Sequence, residues 1–149
     1  MLKKNIIQII SPARLHFGFL EINGNQGDNL LGGIGLSIDK FHTKISMKRN
    51  AKIKVKGKSL NKASLFLNTF CRKIKLKPNF FLNIEKSSPQ HIGLGSGTQL
   101  ALSIGKAISD LNNLNLKIEK IGKILNRSYR SNVGLINFKY GGFLIDLKI

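Results

Sequence analysis

The stretch Pro89-Gln-His-Ile-Gly-Leu-Gly-Ser-Gly-Thr-Gln-Leu-Ala-Leu102 decides how this chain is read. Between Gly93 and Thr98 it packs three glycines, a serine and a threonine, and an apolar, helix-like segment follows at once. Glycines let successive backbone N–H groups face one ligand without obstruction, and a helix N-terminus adds unpaired donors and its dipole. The pattern is that of an anion cradle, with phosphate or pyrophosphate as its natural occupant. Gly93, Gly95 and Gly97 miss the dinucleotide fingerprint because the third glycine comes too early, and no Walker-type Gly-Lys-Ser/Thr occurs. By itself the loop is read equally well as a tight turn with a helix cap at Ser96 or Thr98.

Working outward, residues 80–84 read as a strand entering the loop, and 98–111 as the helix leaving it. Upstream, 6–10 is a β-branched strand ended by Ser11-Pro12, and 14–22 alternates with Leu15, Phe17 and Phe19 on one face. Arg14 and His16 share the opposite face. Residues 32–39, 43–47 and 52–56 read as further strands, the last (Lys52-Ile-Lys-Val-Lys56) with a wet, basic face. Leu60, Ala63, Leu67, Phe70 and Ile74 recur at three-to-four spacing and predict an amphipathic helix over 59–74, ended by Lys77-Pro78. A shorter helix over 118–125 and a strand over 142–147 complete the chain. The order predicts one α+β domain, residues 1–149, with helices packed on one face of a mixed sheet.

Composition sets outer limits. At 149 residues the chain is long enough for a real core. Its 25 Lys and Arg against 7 Asp and Glu give a formal charge of +18, concentrated between Lys40 and Lys86. Most of these lysines are scattered or alternate with apolar residues, as on a solvated surface. A non-catalytic nucleic-acid-binding domain ranks last among the function classes, because aromatic residues are not interleaved with the basic ones along the sequence. Cys71 is the single cysteine, so no intrachain disulfide or cysteine metal cluster is expected, and His16, His42 and His91 are too scattered for structural zinc. The apolar run after Met1 is too short for a signal peptide and no segment reaches transmembrane length, which predicts a cytoplasmic protein without a membrane partner.

Pro89-x-x-x-Gly-Leu-Gly-Ser-Gly97 resembles the phosphate loop of the GHMP superfamily, named for galactose, homoserine, mevalonate and phosphomevalonate kinases. Ser11-Pro-Ala-Arg-Leu-His-Phe-Gly-Phe-Leu20, Gly32-Gly-Ile-Gly-Leu-Ser-Ile-Asp39, the loop itself and Gly141-Gly-Phe-Leu-Ile-Asp146 together resemble one branch, the β-ribofuranosylaminobenzene 5′-phosphate synthases. The resemblance implies a GHMP-type N-terminal domain with a ribosomal-protein-like fold. It also implies a transferase that joins phosphoribosyl pyrophosphate to 4-hydroxybenzoate or 4-aminobenzoate. Pyrophosphate and carbon dioxide are released, and a divalent cation such as Mg2+ assists. The alternative is an ATP-dependent small-molecule kinase of the same superfamily.

Carried onto this sequence, the resemblance makes Arg14, His16 and Arg130 the catalytic candidates, with Arg127 a further partner for substrate anions. His91, Gly93, Leu94, Gly95, Ser96, Gly97, Thr98 and Gln99 form the diphosphate-binding set. Asp39 is the metal candidate, and Asp146 is either a second carboxylate for it or a structural cap. Mevalonate-type kinases place a catalytic aspartate in the region aligning with Ser131-Asn-Val-Gly134, where this chain has none. Family glycines are replaced by Asn126 and Asn132, and a family glutamate by Lys139. Family members continue into a second domain beyond the point matching Ile149, so the resemblance implies a fragment, a truncated gene or half of a split enzyme, with a separately encoded second half or a homo-oligomer as the expected partner in the last case.

Overall fold

The computed structural model describes residues 5–23, 29–89, 92–127 and 131–147. Its organising element is the strand β2 (Asn29–Arg49), which pairs antiparallel with β1 (Ile6–Asn23) along nearly its whole length. On its other edge β2 pairs with β4 (Phe80–Lys86) through Lys44 to Arg49, and with β5 (Phe143–Asp146) through Gly33 to Leu36. The short β3 (Lys54–Gly57) runs parallel to β4 and closes the sheet order β1-β2-β4-β3. Helices α1 (Leu60–Lys73), α2 (Ser96–Leu111), α3 (Ile118–Ile124) and α4 (Val133–Tyr140) complete the mixed α+β domain.

The periodicities explain these elements. Ile45, Met47, Leu82 and Ile84 alternate onto one sheet face and meet Leu67 and Phe70 of α1, with Leu102, Ile104 and Ile108 of α2, all at 2% exposure or less. That single buried layer holds the helices on one side, as the sequence predicts. None of the described helices is long and apolar enough to cross a membrane.

Two expected strand breaks are absent, and the first lies between residues 32–39 and 43–47, which are one strand, β2. Ser11-Pro12 does not end a strand; β1 runs through it, and the mismatch is absorbed as a register shift between Ser11 and Ala13 opposite residues 39–42 of β2. Pro12 has no N–H to place in a ladder, and its carbonyl accepts Asn137 Nδ2 at 3.2 Å. A second shift between His16 and Gly18 changes the expected face of Phe19. The extra residue returns Phe19 to the side of His16, their rings 4.8 Å apart, while Leu15 and Phe17 stay exposed on the open face.

Helix α4 is the element that periodicity misses. Its sequence, Val-Gly-Leu-Ile-Asn-Phe-Lys-Tyr, has no polar stripe and no side-chain cap of its own. Its N-terminus is capped from a distance instead: the Asp146 carboxylate on β5 accepts the Asn132 N–H at 2.5 Å. The buried Asn137 fastens α4 to the sheet, through Pro12 O and the Ser37 hydroxyl.

Candidate functional site

The cleft is built where β1, the glycine loop and the first turn of α4 meet. Arg14 and His16 pair with Ser37 and Gly35 of β2 and share the helix-covered side of the sheet. The Arg14 N–H donates to Leu94 O at 3.1 Å, so the loop lies directly on the β1 backbone. Leu94 turns its side chain into the interior, 6% exposed, and anchors the loop at its centre. Gly95 then takes φ 68, which glycine adopts without the Cβ penalty, and α2 begins at Ser96. The N–H groups of Thr98 and Gln99 both go to Gly95 O, leaving Ser96 and Gly97 as first-turn donors with no acceptor inside the helix.

Arg14 threads between the two helix starts. A Cβ on Gly95 would lie 2.8 Å from Arg14 Nε, and one on Gly134 would lie 2.9 Å from Arg14 Nη1 and from Thr98 Cγ2. Both glycines therefore make room for this guanidinium. Arg127 reaches the same cleft from α3, whose end is a Schellman turn: Asn126 N–H bonds to Lys123 O and Arg127 N–H to Gly122 O. Asn126 has φ 54, so the asparagine at this family-glycine position takes the left-handed conformation it tolerates best after glycine. Asn132 has φ −85, where any side chain is accommodated. Arg127 also lies 4.7 Å over the Phe66 ring.

Electrostatically the cleft holds two guanidinium cations and an imidazole, with no anion among its lining residues. Among the described residues, Arg14 Nε, Arg127 Nε and His16 Nε2 are buried nitrogens with no hydrogen-bond partner. Burial lowers the proton affinity of both guanidiniums, and burial followed by the Arg14 charge holds His16 below its ordinary value. The cleft has a volume of about 480 Å3, and Arg14, His16, Phe19, Gly93, Gly95, Thr98, Asn126, Arg127, Ser131 and Gly134 line it; no carboxylate is among them. Unpaired buried charge is costly, and an anion in the cleft would offset that cost.

Of the sequence candidates, Arg14, His16, Gly93, Gly95, Thr98 and Arg127 come together here. Leu94 contributes its backbone rather than a cleft-facing side chain. Gln99 does not face a ligand: fully buried, it donates through Nε2 to Gly134 O at 3.0 Å and ties the first turn of α2 to that of α4. Asp39 is exposed and lies outside the cleft lining, and Asp146 is taken by its capping role. Among the described residues no group of three or more His, Cys, Asp or Glu side chains is placed to hold a metal ion. His91 and Arg130 lie outside the described residues. Phe19, Ser131 and Gly134 were not singled out as cleft residues by sequence, because a bulge and the capping of α4 place them there.

The family model for the GHMP kinases N terminal domain matches residues 60–138, more than half of the 149 residues. The chain belongs to the GHMP kinase family. This GHMP domain is similar to the beta-ribofuranosylphenol 5'-phosphate synthase of Methanocaldococcus jannaschii, 35% identical over 151 residues, covering 93% of this chain and 46% of that protein. It is likewise similar to the Archaeoglobus fulgidus protein of the same name, 30% identical over 146 residues, covering 95% of this chain and 45% of the relative. The chain thus spans about half the length of the curated relatives it matches. In fold it is similar to the Methanococcus jannaschii mevalonate kinase, with TM-score 0.66 and 16% identity over 93% of this chain and 52% of that one.

Proposed function

We propose that this GHMP domain is the diphosphate-binding half of a phosphoribosyl-transferring synthase that condenses phosphoribosyl pyrophosphate with 4-hydroxybenzoate or 4-aminobenzoate, as in tetrahydromethanopterin biosynthesis. The supporting observation is the cleft in which Arg14, Arg127 and His16 converge on the start of α2 with no carboxylate to neutralise them. The chemistry suits such a site. The anomeric carbon loses its bond to the diphosphate, which leaves with the electron pair, and gains a bond to the ring carbon bearing the carboxylate. Carbon dioxide then departs and its bonding pair restores the aromatic ring. No net proton transfer is needed, so charge stabilisation and positioning carry the rate.

Arg14 and the Ser96 and Gly97 N–H groups hold the diphosphate on this reading. A second hollow of about 570 Å3 shares Asn126 and Arg127 with the cleft and has Leu135, Ile136 and Tyr140 on its wall. It takes the aromatic ring, with the carboxylate toward Arg127. The implied Mg2+ has no carboxylate seat in the cleft, and no step is assigned to it. On this reading a second half like that of the longer relatives completes the substrate site, and a cytoplasmic location belongs to the same proposal. Cys71 is buried, its thiol pushed up to about 11, and takes no part.

The kinase reading rests on the shared fold. It ranks lower because the segment from Ser131 to Gly134 brings no carboxylate to the cleft. The test is release of labelled carbon dioxide from carboxyl-labelled 4-hydroxybenzoate with phosphoribosyl pyrophosphate and magnesium, the chain being co-expressed with a homologous second half. Release that falls at least roughly tenfold in Arg14→Ala supports the proposal. ATP-dependent phosphorylation of a small alcohol, with no carbon dioxide released, overturns it.

A further inference from the structure

The face of the sheet turned away from the helices carries a cluster of exposed lysines around one aromatic ring, none of which lines the cleft. In sequence the basic residues of β2, β3 and β4 look scattered; the strand register gathers them. Lys48 of β2 and Lys54 of β3 both pair with Phe81 of β4, which places the half-exposed ring between two exposed lysines on one face. Their ammoniums lie 5.6 and 5.7 Å from the ring centroid. One row further along, Ser46 and Lys56 flank Asn83 in the same way. A shallow depression of about 230 Å3 opens between these rows.

We propose that this face binds single-stranded nucleic acid, with a base stacked on Phe81 and the phosphates held by Lys48, Lys54 and Lys56. Charge complementarity carries the assignment. Among the described residues none of the three lysines has a carboxylate partner, and the neighbouring acid, Glu85, is already paired with Lys44 at 2.7 Å. Adjacent strands are about 4.8 Å apart and alternate residues about 6.6 Å apart along a strand, so the cations surround the ring at the scale of a nucleotide. An aromatic ring set among lysines on an open sheet face is how sequence-tolerant single-strand binding is built. The second row, Ser46, Asn83 and Lys56, supplies polar partners, and the exposed Ile6, opposite Lys48, lines the same depression.

Binding of a fluorescent 12-nucleotide single strand, as RNA and as DNA, to the 149-residue chain tests the proposal across a salt series. Both strands should bind, with affinity falling steeply as salt rises. Lys48→Ala, Lys54→Ala and Lys56→Ala combined should flatten the logarithmic salt slope by about 2, the share of three phosphates at about 0.7 each. Phe81→Leu keeps the apolar cover of the sheet but removes the stacking platform, and should weaken binding roughly tenfold with an unchanged melting temperature. Arg14→Ala should retain the affinity of the unchanged protein, which separates this face from the cleft. Three outcomes overturn the proposal: duplex bound as tightly as single strand, Phe81→Leu without effect, or anionic vesicles bound in preference to both oligonucleotides.

Discussion

At the scale of single residues the cleft is defined by nitrogen atoms that lack partners, and His16 reports on it most directly. Burial and the neighbouring Arg14 charge favour its neutral form in the fold. The unfolded chain therefore takes up this proton first as pH falls below about 6.5, and the His16 contribution to stability is lost in that direction. A bound diphosphate reverses the preference, because it stabilises the imidazolium. NMR titration of the His16 ring should show its pKa rising when pyrophosphate is added. A ring whose titration ignores pyrophosphate would remove His16 and its neighbour Arg14 from the anion site. Arg14, His16, Gly95 and Thr98 were legible in the sequence because strand alternation and a glycine loop are local patterns. Gln99 was not: its partner, Gly134 O, lies 35 residues away, and nothing local shows which way a buried amide turns.

At the scale of elements, the ends of the helices do much of the positioning without glycine. Lys75, Asn113 and Asn126 all take positive φ just past the ends of α1, α2 and α3, and each helix closes with a Schellman pair of hydrogen bonds. The third of these aims Arg127 into the cleft. Helix α4 depends on Asp146, which supplies the acceptor that its own sequence lacks. Asp146→Ala should cost about 1–2 kcal/mol in urea unfolding, with most of the loss recovered by Asp146→Asn, which keeps an acceptor oxygen. The same alanine variant should weaken pyrophosphate binding, because the first turn of α4 carries Gly134 to Arg14. Unchanged unfolding would show that the cap does not hold the helix. The three patterned helices, β3, β4 and β5 are legible in the sequence within a few residues, whereas β1 and β2 each read as two shorter strands and α4 is not legible, its stabilising contacts coming from β1, β2 and β5.

At the scale of the whole molecule, a formal charge of +18 on 149 residues makes self-repulsion a property of the fold. The Debye length shrinks from about 30 Å at 0.01 M salt to about 10 Å at 0.1 M. The melting temperature should therefore climb across that range and level off above it, and a fall would mean that attractive surface pairs dominate. The three recorded ion pairs among the described residues are all at least partly exposed, so they offset little of this repulsion. The two basic surfaces use the charge differently. The cleft buries a few guanidiniums beside helix starts, whereas the open sheet face spreads lysines in water around one aromatic ring.

The sequence by itself determined the loop from Gly93 to Thr98, the fold class and the family, because these are written in contiguous residues whose backbone geometry is local. Only the tertiary structure decided how the loop becomes a site. It threads Arg14 between Gly95 and Gly134, returns Phe19 to the cleft through a bulge, and brings Arg127 in from the end of α3. It also interleaves Phe81 with Lys48 and Lys54, which the linear sequence keeps apart. The reason is register: which residues become neighbours across strands is fixed by the packing of the whole sheet against its helices.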